Sequence, residues 1–254
     1  MPRTEDYEHL LIQQIHLEWR AKANDPEFDR GRSLGQEFTL GLDLALHPNT
    51  SGRIIINYPG WKGAMDGYME KHKKLAQYMQ GENLGAVVRA KGSGFPDFDG
   101  FTIDIQLRKM IDYSLENAEA LCASQKPEVL LIGTSAGGGA AAAIAHEYEA
   151  VKRILLMAPG YNMAREAVER LRDFAGEVFI VIGQEDRNVG VSAGKVFYDL
   201  ATKASSRELF IIPNCDHNFT GTMNGRIMSE APFYAFTLGE RPKFPDTEGG
   251  MVLY

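Results

Sequence analysis

Short runs of Val, Ile and Leu alternate with amphipathic segments through most of this 254-residue chain, and that alternation constrains the fold more than any other feature. The predicted strands cover residues 53–57, 86–90, 129–132, 153–157, 178–182 and 209–212. The predicted helices cover residues 65–80, 103–123, 136–148, 163–174, 191–203 and 229–238. Strands that are apolar throughout are buried on both faces, which requires helices on both sides of a parallel sheet. The sequence therefore predicts an α/β fold with a mostly parallel central sheet.

Two further segments come before this pattern. Residues 38–46 alternate between apolar and small or polar side chains, which predicts a half-buried, antiparallel strand. Nearer the N-terminus, four apolar residues recur at a spacing of four: Tyr7, Leu11, Ile15 and Trp19. This spacing predicts an amphipathic helix, so we expect residues 1–30 to form an accessory helical segment within a single domain of residues 1–254. Either the domain itself or a second copy must cover the apolar stripe, and the second case would be a homodimer.

Charge and composition exclude several classes of function. A net charge of −7 and a pI near 5.4 leave no basic surplus for nucleic acid or an anionic membrane. The first residues lack a signal-peptide pattern and no apolar run is long enough to span a membrane, so we expect a cytoplasmic protein. Cys122 and Cys215 are too few for a disulfide framework. No histidines pair at metal-ligand spacing, so we expect no metal and no other cofactor.

A G-x-S-x-G pentapeptide, Gly133-Thr134-Ser135-Ala136-Gly137, carries the chemistry. It follows a predicted buried strand directly and precedes a predicted helix, which is the setting of a nucleophile elbow. Glycine is expected on both sides of Ser135 because side chains there would collide with the neighbouring strand and helix. A phosphate-binding loop is the alternative, but the lysine of a P-loop and the G-x-G-x-x-G of a dinucleotide site are both missing.

From residue 37 to 240 the chain resembles the α/β-hydrolase superfamily, in particular its small members without a lid, such as dienelactone hydrolases and carboxylesterases. In that family the nucleophile is followed along the chain by an acid and then by a histidine. The resemblance implies Asp186 as the acid, in a G-x-x-D-x-x-V arrangement, with Glu185 as its competitor. It implies His217 as the base, in a D-H-x-F-x-G run after the last predicted strand, with Asp216 ordering the loop.

The resemblance also suggests an oxyanion hole and a pocket. One oxyanion donor would be the backbone N–H of Ala136, the residue after the nucleophile. The second would come from the loop Tyr58–Gly63, which is similar to the family's H-G-x-x-G loop but has Pro59 in place of its histidine; Trp61 is the first choice and Gly60 the second. Trp61, Phe95, Phe98 and Tyr161 are the candidate walls of a substrate pocket, although the loop 91–100 could equally be only a connector.

These residues together predict a serine hydrolase that cleaves a carboxylic ester or a related small acyl compound through an acyl-enzyme. The stretch 158–177, where related proteins carry a lid, is too short for a large cap domain. An acyltransferase, a thioesterase or a peptidase would use the same triad. A ligand-binding or receptor protein that retains the triad with little turnover is an alternative from another functional class.

Overall fold

The computed structural model describes residues 7, 9–22, 37–92, 101–161, 168–237 and 252–253. Its central element is one nine-stranded sheet in the order β1-β2-β4-β3-β5-β6-β7-β8-β9. The strands are β1 (Gln13–Lys22), β2 (Glu37–His47), β3 (Arg53–Tyr58), β4 (Ala86–Ala90), β5 (Glu128–Thr134), β6 (Val151–Met157), β7 (Glu177–Gly183), β8 (Ser206–Ile212) and β9 (Val252–Leu253).

The sheet is parallel from β4 through β8, as the apolar runs predict. These strands are largely buried, β8 the least, and every residue of β4 is buried. The antiparallel strands β2 and β9 lie at the two ends of this parallel block. The prediction of an antiparallel strand over residues 38–46 is confirmed in β2, where the buried Leu40, Leu42 and Leu44 alternate with exposed residues.

Helices cover both faces of the sheet: α1 (Lys71–Gly81), α2 (Phe101–Glu116), α3 (Ala118–Cys122), α4 (Ala136–Ile144), α5 (Val191–Leu200) and α6 (Thr222–Phe236). On one face the core includes Leu107 of α2, Ala141 of α4 and Phe197 of α5. On the other face it includes Met79 of α1 and Ala235 of α6. The predicted mostly parallel α/β sheet with helices on both faces is therefore confirmed.

The prediction of an N-terminal helix is wrong. Residues 13–22 form β1, which pairs antiparallel with β2 along its whole length. Ile15, Leu17 and Trp19 are half-buried and pack against the core, while the residues between them are exposed. A spacing of four residues fits a strand as well as a helix, because four is a multiple of two. The alternation of polar residues with Ile15, Leu17 and Trp19 was the signal that distinguishes the two.

Two other helices begin at different residues from those predicted. The helix predicted to start at residue 65 starts at Lys71, because Met69 and Glu70 have φ of 50° and 60°, which no α-helix accepts. The final helix starts at Thr222 instead of residue 229. For the helix predicted over 163–174, residues 162–167 lie outside the described part, and Glu169–Asp173 form a 3-10 turn.

The connection between β6 and β7 is short. It runs from residue 158 to residue 176, and what is described of it contains the one turn of 3-10 helix just mentioned. This segment has no room for a large cap domain, in agreement with the sequence-based prediction. The carboxyl ends of the parallel strands are therefore not covered by an inserted domain at this point, which is where ligands bind in open α/β sheets.

Candidate active site

Ser135 lies at the sharp turn between β5, in the middle of the sheet, and α4. Its backbone has φ of 54° and ψ of −119°, a strained conformation for a residue with a side chain. The Ser135 N–H donates a hydrogen bond to the Met157 carbonyl at 2.9 Å, and the Ser135 carbonyl accepts one from the Gly160 N–H at 2.9 Å. The neighbouring strand and its following loop thus hold the turn from both sides.

The glycines of the pentapeptide are required by close backbone contacts. A Cβ atom on Gly133 would lie 2.4 Å from the carbonyl oxygen of Gly137. A Cβ atom on Gly137 would lie 2.4 Å from the carbonyl oxygen of Pro59. Both distances are far inside van der Waals contact with backbone atoms, which cannot move aside as a side chain can. The steric reason that the sequence suggests for these two glycines therefore holds in the structure.

Asp186 follows β7 and is 5% exposed. Its Oδ2 lies 2.7 Å from Nδ1 of His217. Its Oδ1 accepts hydrogen bonds from the backbone N–H groups of Asn188 at 2.9 Å and Val189 at 3.0 Å. Both carboxylate oxygens are therefore held in place, whereas the competing acid Glu185 is exposed to solvent.

His217 follows β8 and connects the acid to the serine. Its Nε2 lies 3.1 Å from Oγ of Ser135, while its Nδ1 faces Asp186. An ionised carboxylate can only accept, so Nδ1 of the neutral imidazole carries the proton and Nε2 is left to accept one. This tautomer orients the lone pair of Nε2 toward the Ser135 hydroxyl. The three predicted residues therefore form one continuous chain of hydrogen bonds.

The loop that carries His217 is ordered by Asp216. Its Oδ1 accepts hydrogen bonds from the backbone N–H groups of Asn218 at 3.1 Å and Thr220 at 2.9 Å. These bonds, the one from Thr220 foremost, lower the pKa of Asp216. The loop-ordering role predicted for Asp216 agrees with these contacts.

The two oxyanion candidates lie on either side of Ser135. Ala136 is the first residue of α4, so the helix's own ladder does not use its N–H. The loop after β3 passes directly beside Ser135, since a Cβ atom on Gly60 would lie 3.0 Å from Cβ of Ser135 and 3.5 Å from its Oγ. This approach brings the Gly60-Trp61 peptide to the edge of the site.

Ser135 and His217 open into a cleft of about 390 Å³ whose lining includes Trp61, Tyr68 and Lys71. The cleft continues into a second hollow of about 430 Å³, and Tyr68 and Lys71 line both. Trp61 is thus placed as the sequence predicts.

The other predicted pocket residues are not part of the described lining of the cleft. Tyr161 packs against the hydrophobic core and is not among the described residues that line the cleft. Phe95 and Phe98 lie outside the described residues.

Sequence reasoning missed a buried charged cluster next to this cleft. Arg89 of β4 is 2% exposed and donates hydrogen bonds to Nε2 of His47 at 2.9 Å, to the Met65 carbonyl at 2.7 Å and to Oδ1 of Asp66 at 2.8 Å. Burial, and next the Arg89 charge, lower the pKa of His47 to about 3. An arginine inside an otherwise apolar strand was the one sequence signal for this cluster.

His72, which lies in a run of charged residues, is also buried. Burial, followed by the charges of Lys71 and Arg89, lowers its pKa to about 4. The charged run suggests a surface position, but α1 turns this residue toward the sheet. Among the residues that the structure describes, no three His, Cys, Asp or Glu side chains are grouped as a metal site would require. No helix in the described part of the chain is long and apolar enough to cross a membrane.

Comparison with known proteins bears on the fold. No protein-family model matches the chain, and no curated protein sequence matches it. Solved structures do match. Est1E from Butyrivibrio proteoclasticus is 18% identical with a TM-score of 0.59, and the match covers 76% of this chain and 91% of that one. Dienelactone hydrolase from Anabaena variabilis is 20% identical with a TM-score of 0.63, covering 87% and 99%.

The esterase Pf2001 from Pyrococcus furiosus is 13% identical with a TM-score of 0.65, and the match covers 92% of this chain and 96% of that one. Identities of 13 to 20% are evidence for the fold alone, and the structural matches extend over most of each chain. Together with the strand order and the turn at Ser135, these matches show that the chain has the α/β-hydrolase fold.

Proposed function

We propose that this protein is a serine hydrolase that cleaves a carboxylic ester or a related acyl compound through an acyl-enzyme. One observation carries the proposal: Ser135, His217 and Asp186 form a chain of hydrogen bonds of 3.1 and 2.7 Å at the floor of an open cleft. A nucleophile, a base and a group that orients the base are the parts that acyl transfer requires. The names of two matching structures, dienelactone hydrolase from Anabaena variabilis and the esterase Pf2001 from Pyrococcus furiosus, support the same class.

The mechanism follows from where each proton lies. Oγ of Ser135 attacks the acyl carbonyl carbon as its proton passes to Nε2 of His217. Asp186 stabilises the imidazolium through Nδ1–H, and its own two backbone hydrogen bonds keep it in position. The backbone N–H groups of Ala136 and Trp61 stabilise the oxyanion. Nε2–H then protonates the departing alkoxide, and a water molecule repeats the sequence to release the acid.

A fluorophosphonate probe tests the proposal, because it labels only an activated serine. We expect labelling of the wild-type protein at Ser135, no labelling of Ser135→Ala, and a loss in kcat of about 10⁴-fold or more, since the triad acts as a unit. Ser192→Ala, at an exposed position on α5, is the matched control and should behave as wild type. Equal labelling of Ser135→Ala, or no labelling of folded wild-type protein, would overturn the proposal.

The same experiment separates the competing classes. A ligand-binding protein that retains the triad without turnover should label weakly or not at all. A panel of esters, thioesters and peptides with matched acyl groups then distinguishes esterase, thioesterase and peptidase activity. Addition of an alcohol or amine acceptor distinguishes acyl transfer from hydrolysis, because an acyltransferase forms the new ester or amide in preference to the free acid.

A further inference from the structure

A strained segment forms part of the cleft wall. From Gly67 to Glu70 three residues have positive φ: Gly67 at 73°, Met69 at 50° and Glu70 at 60°. Side chains disfavour this region, and such strain concentrates where structure serves a ligand. Tyr68 of this segment lies in the lining of both hollows and is 80% exposed. Lys71, the residue that follows the segment, also lines both hollows. The wall is thus built to present these two side chains to the cleft.

The ammonium group of Lys71 differs from those of its neighbours. Nζ of Lys73 lies 2.9 Å from a carboxylate oxygen of Glu70, and Nζ of Lys74 donates to the Met69 carbonyl at 3.1 Å. The ammonium group of Lys71 makes no hydrogen bond or ion pair within the described part of the chain. Its stem lies against Gly67, where a Cβ atom would be 2.9 Å from Cγ of Lys71. The lysine is therefore directed along the cleft wall with its charge available.

The charge around Lys71 is also unusual for this protein. The net charge of the chain is −7, yet the described lining of the two hollows contains no Asp or Glu. The carboxylate of Asp216 interacts electrostatically with the ammonium group of Lys71. Oδ1 of Asp216 also accepts hydrogen bonds from two backbone N–H groups. The neighbouring His72 is neutral at physiological pH because burial lowers its pKa. Lys71 is the one lysine or arginine in the described lining.

We propose that the substrate is an ester that carries a second, anionic group, and that Lys71 binds this group as a carboxylate. The proposal rests on the proposed hydrolase function, because it assigns the substrate class of the same cleft. The ester group lies at Ser135, the body of the substrate follows Tyr68 and Met228, which line both hollows, and the carboxylate meets the ammonium group. A charge-assisted hydrogen bond to a carboxylate is among the stronger contacts that a cleft can offer.

Matched pairs of substrates test this assignment. On the alcohol side the pair is 4-carboxyphenyl butyrate and 4-carbamoylphenyl butyrate. On the acyl side it is the monophenyl ester of adipic acid and the corresponding primary amide. We expect the wild-type kcat/KM to favour the anionic member of at least one pair by about tenfold, and added salt to reduce that ratio.

Lys71→Met should bring the ratio close to one, while Lys71→Arg should retain most of it. Lys73→Met is the matched control: it removes a lysine from the same helix turn that does not line the cleft, so the ratio should stay at its wild-type value. A wild-type ratio near one for both pairs, with hydrolysis that still depends on Ser135, would overturn the Lys71 assignment and leave the hydrolase proposal intact. A preference that persists in Lys71→Met would overturn it as well.

A binding measurement keeps the assignment testable without turnover. In the Ser135→Ala protein, calorimetry should show tighter binding of 4-carboxyphenyl butyrate than of its amide, and Lys71→Met in the same background should remove the difference. Equal binding of the two compounds contradicts the assignment. Failure of fluorophosphonate labelling in wild-type protein, by contrast, counts against the hydrolase function alone, so the two failures are distinguishable.

Discussion

The two walls of the cleft are held in place by different means. The histidine wall consists of the loops 184–190 and 213–221 and carries Asp186 and His217. Backbone groups join these loops: the Gln184 N–H donates to Ile212 at 2.8 Å and the Glu185 N–H donates to Cys215 at 2.9 Å. A Cβ atom on Gly183 would lie 2.2 Å from the Cys215 carbonyl oxygen, which shows how closely the loops approach.

The oxyanion wall consists of residues 59–71 and is held by one buried side chain in addition to backbone hydrogen bonds, such as that from the Gly92 N–H to the Gly63 carbonyl at 2.8 Å. Arg89 reaches from β4 to Met65 and Asp66, and the Asp66 carbonyl in turn accepts a hydrogen bond from the His72 N–H at 2.9 Å at the start of α1. This wall also contains strained residues and exposed aromatic side chains, including Trp61 at 46% exposure.

This difference between the two walls assigns a different task to each of them. In the proposed mechanism, proton transfer needs the same geometry for every acyl substrate, and a wall fixed by backbone hydrogen bonds tolerates little change. Substrate choice depends on side chains, and a wall held in part by a buried arginine can vary its exposed residues without disturbing the proposed proton relay. We therefore expect substitutions in the histidine wall to abolish turnover, and those in the oxyanion wall to change its rate, selectivity and stability.

The largest effect is expected in the histidine wall, from Asp186→Asn. An amide at this position donates to Nδ1 or leaves it in the wrong tautomer, so Nε2 would no longer accept the Ser135 proton. We expect kcat to fall by about 10⁴-fold while the protein stays folded. The measurement is steady-state hydrolysis of a simple ester, with the urea midpoint as the check on folding.

Glu185→Gln is the matched control for this substitution, because the neighbouring acid is exposed and should contribute little to turnover. If Glu185→Gln is the inactive variant and Asp186→Asn retains activity, the assignment of the acid is wrong. The same result would remove the contrast between the walls, since the buried and hydrogen-bonded carboxylate would then serve only the structure.

A smaller effect is expected in the oxyanion wall, from Arg89→Met. The methionine fills a similar volume but leaves the Met65 carbonyl and the His47 imidazole without their donor. We expect a loss of about 3 kcal/mol in the free energy of unfolding. We expect kcat to fall by about 10 to 100-fold, because the loop beside Ser135 shifts. Chemical denaturation and ester hydrolysis measure the two effects.

Arg108→Met is the control, since Arg108 forms a bidentate pair with Glu147 on the other face of the sheet, at 2.8 Å for both bonds. This partly exposed pair should contribute at most about 1 kcal/mol and should not affect kcat. An Arg89→Met protein that loses stability but keeps the wild-type kcat would show that the buried arginine serves folding alone and does not position the oxyanion wall.

The sequence predicted the histidine wall better than the oxyanion wall, for a physical reason. Ser135, Asp186 and His217 each follow a strand that contains an apolar run, at residues 129–132, 178–182 and 209–212, and parallel strands bring their carboxyl ends to one edge. The positions of these residues therefore follow from the order of the strands. The glycines beside Ser135 add a local steric signal that a pattern can detect.

The oxyanion wall depends on contacts between distant residues. Nothing near Lys71 in the sequence indicates that Met69 and Glu70 adopt positive φ, because this conformation is imposed by the packing of the whole segment. The partners of Arg89 likewise come from β2 and from the loop after β3, and no periodicity relates them. The mistaken N-terminal helix has a different origin, since the alternation of polar residues with Ile15, Leu17 and Trp19 was a local signal for the strand that pairs with β2.

The smallest effect predicted for a single residue is a loss of stability in acid that begins at two buried histidines next to the oxyanion wall. His47 and His72 have pKa values of about 3 and about 4 in the folded protein, against 6.5 in the unfolded chain. Between pH 6.5 and about 4 the unfolded chain therefore binds protons that the native protein does not, and stability falls as the pH falls. At pH 5 each histidine should cost about 2 kcal/mol relative to pH 8. The surface residue His16, whose pKa is raised mainly by its hydrogen bond to Asp43, acts in the opposite direction.

Urea unfolding at pH 8, 6.5 and 5 should show the loss, and His47→Asn and His72→Gln should each reduce it, whereas His9→Gln, at an exposed position, should not. Hydrogen exchange at pH 5 should increase in residues 64–72 before it increases in residues 183–189. Equal exchange in the two segments, or an acid sensitivity that both histidine variants retain, would show that the two walls do not differ in the way their contacts indicate.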